Sequence, residues 1–499
     1  MSVIFQDMTP QQAWEPLPDM LWNADSAAHL LRRIGFSARP ADIQRALVAG
    51  PRETVDQAFS GVDFDVPSKT WDAHLEVQYL RRQMRNKDPE ERRALQRKVQ
   101  KAIREAYNEF AMDWLEFARK PEASAQEKYV LFLESIFVVS SNKVRNAGMI
   151  YDHGNLLRRE GFDSYVDLVK SISRSPAMIQ YLDLQQSQKK APNENFAREL
   201  MELFTLGEGN YTEKDIKEAA RAFTGYGYRS SEHYFSEYRF TSNRYDSGKK
   251  TVFGNSGRWN GDEVIEMVFE QPGAKTFMPR ELCLYYLSET PLPEEILRPL
   301  GESWARQDFD QEWLLRKLFT SRIFYAEQFR GNLIKSPFHF YIGLCQDLNL
   351  DVLPVPTRLI GQFRNMGQDF QNPPNVRGWL GGKHWITSST LSARQLMARN
   401  LLYPPKEDRY NADERMRLEE ARDDGKGPFA VQPDMIQPWL KRDNDELVEI
   451  LCRYFLPQPP SPSFKSKLVA HVDVAEKYRY ERVRQALLAL LQSPVYQLS

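Results

Sequence analysis

The residues of this chain best equipped for chemistry are carboxylates and arginines set at helical spacing. Glu194, Arg198 and Glu202 recur at i, i+4 and i+8, so on a regular helix the guanidinium lies between two carboxylates. Glu199 and Glu202 stand at i and i+3, where two like charges repel unless an arginine or a cation separates them. Asn195 shares their polar face, and Glu218 with Arg221 repeats the three-residue spacing further on. Such a set has two uses. It could bind a cation or a polar ligand, or do acid–base work, which needs one carboxyl with a raised pKa; Glu199 and Glu202 are the candidates. Alternatively it is a solvated helix face laced with ion pairs, the commoner outcome for charges at this spacing.

A second set lies in NPPNVRGWLGGKHW, residues 372–385, which packs two prolines, three glycines and two tryptophans into a short loop. A loop of that composition is stiff and can expose amides and indole faces together. Asn375, Arg377, Trp379, His384, Trp385 and Ser388 are its candidate pocket residues, with His384 the foremost histidine. Its other reading is a structural loop capping a helical core, although functional residues concentrate on loops held by rigid scaffolds.

The elements that must hold these residues are helices. Residues 191–226 read as two helices joined by a tight turn. Asn193 is placed to cap the first, Gly207 to end it left-handed, Thr212 and Asp215 to form a capping box, and Gly225 to close the second. Phe196, Ala197, Leu200, Leu203 and Phe204 fall on the opposite, apolar face. The pair and the 366–390 loop are expected to meet and line one cleft.

Most of the remaining chain is helical in pattern. A short helical pair spans 29–59, with Gly35 at a helix end, and charged helices spanning 71–120 break at Asp88-Pro89. Residues 127–144 form a buried helix, Pro176 and Pro337 open further helices, and 310–322 is amphipathic. His339, alone in an aromatic helix, reads as packed core. Residues 227–260, rich in Tyr, Phe, Ser and Gly, read as a small hairpin or irregular excursion, suited either to a carbohydrate or peptide groove or to a loop anchored by its rings. Residues 412–438 read as a surface connection and 456–462 as a stiff spacer before the terminal helix. The expected fold is mainly α, a multi-helix globular architecture with a small irregular or β insertion near 227–260. It divides into a helical region with a long charged helix (1–125), a helical core (126–226), the insertion (227–260), a helical region carrying the Pro-Pro-Asn loop (261–411), and a linker with helices (412–499).

Composition narrows the function classes. Lys plus Arg (67) balances Asp plus Glu (68), so neither a nucleic acid nor an anionic membrane is an indicated partner. No run approaches the ~18 apolar residues of a membrane span. The three cysteines, Cys283, Cys345 and Cys452, have neither metal spacing nor the even number of a disulfide framework. No phosphate loop or dinucleotide fingerprint names a cofactor, and no metal ligand set is assigned. The opening residues lack a basic and then apolar leader, which places the chain in the cytoplasm, or outside it if an export signal has been removed.

Several of these stretches resemble the signature of a bacterial family catalogued as domain of unknown function 1800. They are NENFARELMELFTLG (193–207), MGQDFQNPPNVRGWLGGKHWITSSTLSAR (366–394), HLLRRIGFSARPADIQRALVAGP (29–51) and the closing RVRQALLALLQSPVYQLS. The resemblance covers nearly the whole chain. It departs at one informative place: the family commonly shows Phe-Trp-His-Asn-His-Phe where this chain has Phe132, Leu133, Glu134, Ser135, Ile136 and Phe137. A further family histidine corresponds to Tyr245. Chemistry carried by those histidines in relatives is therefore lost here, or rebuilt around Glu134 and Asp246. The resemblance implies an accessory or partner protein of a glycan or cell-surface modification system, binding a polar ligand or a partner protein similar to the alkaline phosphatase and sulfatase superfamily. Glu194, Asn195, Arg198, Glu218, Arg221, Asp246, Asn375, Arg377, Trp379 and Trp385 would form the binding cleft. The alternative is a hydrolase or transferase on a polar polymer, with Glu199, Glu202 and His384 as its catalytic groups, either metal-free or metal-dependent.

Overall fold

Local signals decide where most helices begin and end. The side chain of Asn23 caps Ala24–Ile34, which stops at Gly35. Pro40–Ala58 bends where Gly50 takes φ 83° just before Pro51. Thr70–Gln83 and Pro89–Ala118 are separate helices, the second capped by Asp88, so the Asp88-Pro89 break falls where expected. Ser336 caps Pro337–Asp347, and Asp310 caps Gln311–Thr320. The computed structural model describes residues 3–60, 65–68, 70–84, 87–229, 236–350, 356–423, 425 and 433–499.

These helices make a mainly α architecture in which the sheets are minor. Tyr226–Arg229 pairs antiparallel with Glu237–Phe240, in the register Tyr226 opposite Phe240 and Tyr228 opposite Tyr238. Lys250–Val252 pairs with Asn255–Gly257 through a turn containing Gly254 at φ 81°. The small β insertion lies where the sequence pattern changes; residues 230–235 of it lie outside the described residues.

A single apolar cluster runs through the molecule from Val3 to Tyr496 and takes in Trp114, Tyr129, Phe204, Val252, Trp304 and Leu487. Val252 ties the insertion to it. The terminal helix Glu476–Leu491 contributes Val483, Leu487, Leu490 and Leu491, all buried. One expectation changes: the 412–438 stretch is not simply a connection, because Ala412–Asp423 is helical, with Leu418 and Ala421 in a small cluster of their own beside Tyr410. A charged face hid that helix, since two buried apolar positions are too few to give the sequence a clear apolar stripe. Among the described residues no helix is long and apolar enough to cross a membrane.

Candidate functional site

The acidic motif is held by a helix that changes pitch. The Asn193 side chain accepts from the Asn195 backbone N at 2.9 Å and starts Asn195–Glu199, which runs directly into a π-helical turn, Leu200–Thr205. There the backbone N–H groups of Leu206 and Gly207 both donate to the Met201 carbonyl, at 2.9 and 3.1 Å. Phe196, Ala197, Leu200, Met201 and Phe204 are fully buried, whereas Leu203 is only partly so. The wide turn accommodates Met201 in the core at the expense of regular 3.6-residue spacing.

That change in pitch overturns the expected clamp of Arg198 between Glu194 and Glu202. Arg198 reaches Glu194 at 3.4 Å but takes its close, two-pronged contact from Glu213 of the next helix, at 2.7 and 2.9 Å. Glu202 turns elsewhere. It accepts from the Tyr211 hydroxyl at 2.7 Å and pairs with Arg377 at 2.6 Å. Arg377 also reaches Glu208 at 2.6 Å, so the helix pair and the 366–390 loop do meet, through this arginine.

The remaining charged candidates form a separate, structural network. Thr212 and Asp215 make the capping box of Glu213–Ala222, and Asp215 also accepts from the Phe253 backbone N at 2.7 Å. Arg221 donates to Asp246 at 2.8 Å and to Glu218 at 2.9 Å, and Glu218 accepts from the Thr251 backbone N. The partner guanidinium, acting with the Gly248 backbone N–H, holds the Asp246 carboxyl below its usual range against the opposing effect of burial. These three side chains fasten the β insertion to the helix, and no described ion pair links them to Glu199 or Glu202. Gly225, at φ 82°, fits here because a Cβ would come within 2.8 Å of the Thr241 carbonyl oxygen.

The loop is shaped by its glycines and by Asn375. Gly378 has φ 77° and lies against the Ser135 backbone, and Gly382, at φ 59°, lets the chain pass Glu289 closely. Asn375 Oδ1 accepts from the Arg377 backbone N at 2.8 Å, which positions the arginine; Asn375 itself is not on the cleft wall. Trp379 and Trp385 line a cleft; His384 does not, and it is exposed, as are Asn195 and Ser388. The proposed meeting of His384 with Glu199 and Glu202 is therefore not observed.

The cleft has a volume of about 320 Å³ and lies between Ser124–Ile136, Pro272–Tyr286, the start of Pro337–Asp347 and the loop. Ser135 and Ile136 are on its wall, so one of the two positions that differ from the family's histidines faces it. Glu134 is directed away, accepting from Gln371 Nε2 at 2.8 Å. Burial pushes its carboxyl up to about 7, against the pull of Arg158. Glu134 and Asp246 have no described hydrogen-bond partner in common. Glu199 sits at the acidic edge, half-buried. Burial and then Glu202 raise its pKa, while Arg377 and Arg198 oppose them, and no described group hydrogen-bonds to its carboxylate. Among the described residues no three His, Cys, Asp or Glu side chains stand together as a metal site.

Sequence reasoning missed the cleft floor. Arg33, Lys128 and His339 all line it and all are buried. The available signal was Lys128 itself, a lysine within the apolar run EKYVLFLESIF, since a lysine is rarely buried without a purpose. Arg33 and His339 carried no comparable mark. Glu213 and Glu208, partners of Arg198 and Arg377, and Tyr211, which donates to Glu202, lie outside the regular helix spacing and so carried no signal.

No curated protein and no solved structure matches the chain. A family model does, over residues 29–498, and this span takes in every candidate site residue. The chain belongs to the family described as Protein of unknown function (DUF1800).

Proposed function

We propose that the chain is an accessory component of a bacterial glycan or cell-surface modification system, and that it acts by holding a polar ligand in the cleft bordered by Arg377. One observation supports this above the others: Arg377 neutralises the acidic edge through Glu202 and Glu208 while lining the same cleft as Trp379 and Trp385. Ion pairing holds that arginine at the mouth, and indole faces beside a polar rim suit the flat faces of sugar rings. A sulfatase-like protein is the partner that would receive the bound material. The test is retention of purified bacterial surface polysaccharides on the immobilised protein. Trp379→Ala should reduce retention about tenfold, as the loss of a well-packed aromatic contact does. Failure of the wild-type protein to retain any of them would sink the ligand reading.

Glu199 supports a second reading, a hydrolase or transferase on the same polar polymer. A half-buried carboxyl with a raised pKa, no hydrogen-bond partner among the described residues and an arginine nearby has what a general acid needs. Turnover of a retained polysaccharide that disappears in Glu199→Gln, with binding unchanged, would favour this reading. Equal turnover in the variant would dismiss it.

A further inference from the structure

The floor of the cleft gathers basic groups with no described ion-pair partner, and burial, with Arg33 and Lys335 nearby, lowers the pKa of the Lys128 ammonium well below its usual range. The Lys128 ammonium has three donors. Two are taken by the carbonyls of Arg32 and Gly35, at 3.1 and 2.7 Å, and no described carboxylate pairs with it. Arg33 gives its terminal nitrogens to the carbonyls of Tyr286 and Phe329 and to Asn332, which leaves Nε without a partner. His339, 6% exposed, has an unpartnered Nε2. Phe36 brings them together: the Lys128 nitrogen is 5.9 Å from its ring centre and the His339 ring 5.7 Å. Behind them are two more buried cations, Lys335 and Arg394, and the groups that act on His339 electrostatically are Lys128, Lys335, Arg33 and Arg394, all basic. The cleft's side-chain carboxylates relieve this only in part: Glu289 acts on Arg33 across the cleft, and Ser499, the last residue of the chain, also lines it. Glu289 is exposed and accepts from the Ile334 backbone N, and neither Glu289 nor Glu281 forms a described ion pair with Lys128 or Arg33. Buried cations held by carbonyls alone are costly; such a group gives up its proton or is stabilised by an incoming anion.

We propose that the floor of the cleft is an oxyanion subsite, in which Lys128, Arg33 and His339 hold the carboxylate, phosphate or sulfate of a sugar-like ligand whose ring lies against Trp379 and Trp385. This rests on the cleft being the ligand site and names the class of ligand: an acidic saccharide. The arrangement is bipartite, with charge read at the floor and ring shape at the mouth.

Saturation-transfer NMR on the full chain at low ionic strength tests it, with glucuronate, glucose 6-phosphate and glucose as probes. Both anions should give signals that inorganic sulfate displaces, with glucose giving little. Glucuronate alone would identify a carboxylate subsite, and glucose 6-phosphate alone a phosphate or sulfate subsite; either supports the proposal. Lys128→Met and His339→Gln, each checked for an unchanged melting curve, should weaken anion binding by about tenfold, the scale of a lost charge-assisted hydrogen bond. Equal signals from glucose and from the anions, insensitive to sulfate, would overturn the subsite and leave the cleft as a neutral-glycan site. No signal from any probe would overturn the subsite whatever the polysaccharide retention shows, because that assay reads the mouth of the cleft through Trp379.

Discussion

Arg377, more than half exposed, has two carboxylates within 2.6 Å, whereas Lys128, 5% exposed, is held by two carbonyl oxygens and has no described carboxylate partner. The acidic helix pair is conspicuous in sequence, and most of its charges are spent on one another: Arg198 on Glu213, Arg377 on Glu202 and Glu208, Arg221 on Glu218 and Asp246. The cleft floor is inconspicuous, being drawn from three distant helices, and its basic groups have no described ion-pair partner. A dense charged motif is therefore a poor guide to where binding capacity remains. What matters is whether the protein has already satisfied its charges.

The comparison is sharpened by a third arrangement, a charge pair that is both buried and matched. Glu127 accepts from Arg158 at 2.8 and 2.6 Å and from the Trp114 indole at 2.8 Å, deep beneath the cleft wall. Glu127→Ala should cost about 3–5 kcal/mol in denaturant unfolding, because it strands a buried guanidinium. A loss under 1 kcal/mol would mean that water reaches Arg158.

The next largest effect is pH-dependent. The Glu134 carboxyl titrates higher in the fold, about 7, than in the unfolded chain, so the fold favours its protonated form. That contribution is complete below the unfolded value near 4.5 and is lost as pH rises through 7. Glu134→Gln should therefore be nearly neutral at pH 4 and stabilise by about 3 kcal/mol at pH 8, the equivalent of moving a carboxyl from near 4.5 to about 7. Denaturation curves of both proteins across this range decide it; a pH-independent difference would show that the hydrogen bond from Gln371 governs the site instead.

Smaller effects are expected at the acidic edge. The Glu199→Ala, Glu202→Ala double variant should lose only about 1 kcal/mol, because Arg377 keeps Glu208 and the pairs lie near the surface. A collapse of the fold would turn this edge into a structural ion-pair core and erase the contrast with the cleft floor. Arg377→Ala should change stability least, by about 0.5 kcal/mol, with the difference shrinking in high salt. Its effect on polysaccharide retention should be the larger one.

Much of the local structure was legible because helix ends are decided within a few residues. Asp88, Thr212 with Asp215, Pro337, Gly207 and Gly225 all act where their positions indicated. The π-helical turn was not legible: Met201 enters the core through a wider turn, and a wheel drawn at regular pitch assigns Glu202 the wrong neighbour. Of the loop's candidates, Trp379 and Trp385 line the cleft, while His384 is exposed and does not. His339 was rightly read as packed, but nothing in the spacing showed that it shares a floor with Lys128 and Arg33.

The sequence by itself determined the helical class, most helix boundaries and family membership, because caps, prolines and apolar periodicity act through neighbours along the chain. Only the tertiary structure decided which carboxylate each arginine takes and which buried cations lack one. Those outcomes depend on competition among acceptors of similar chemistry and on the loss of water around each charge. Both are set by which elements pack together, and neither is written in the spacing of any single segment.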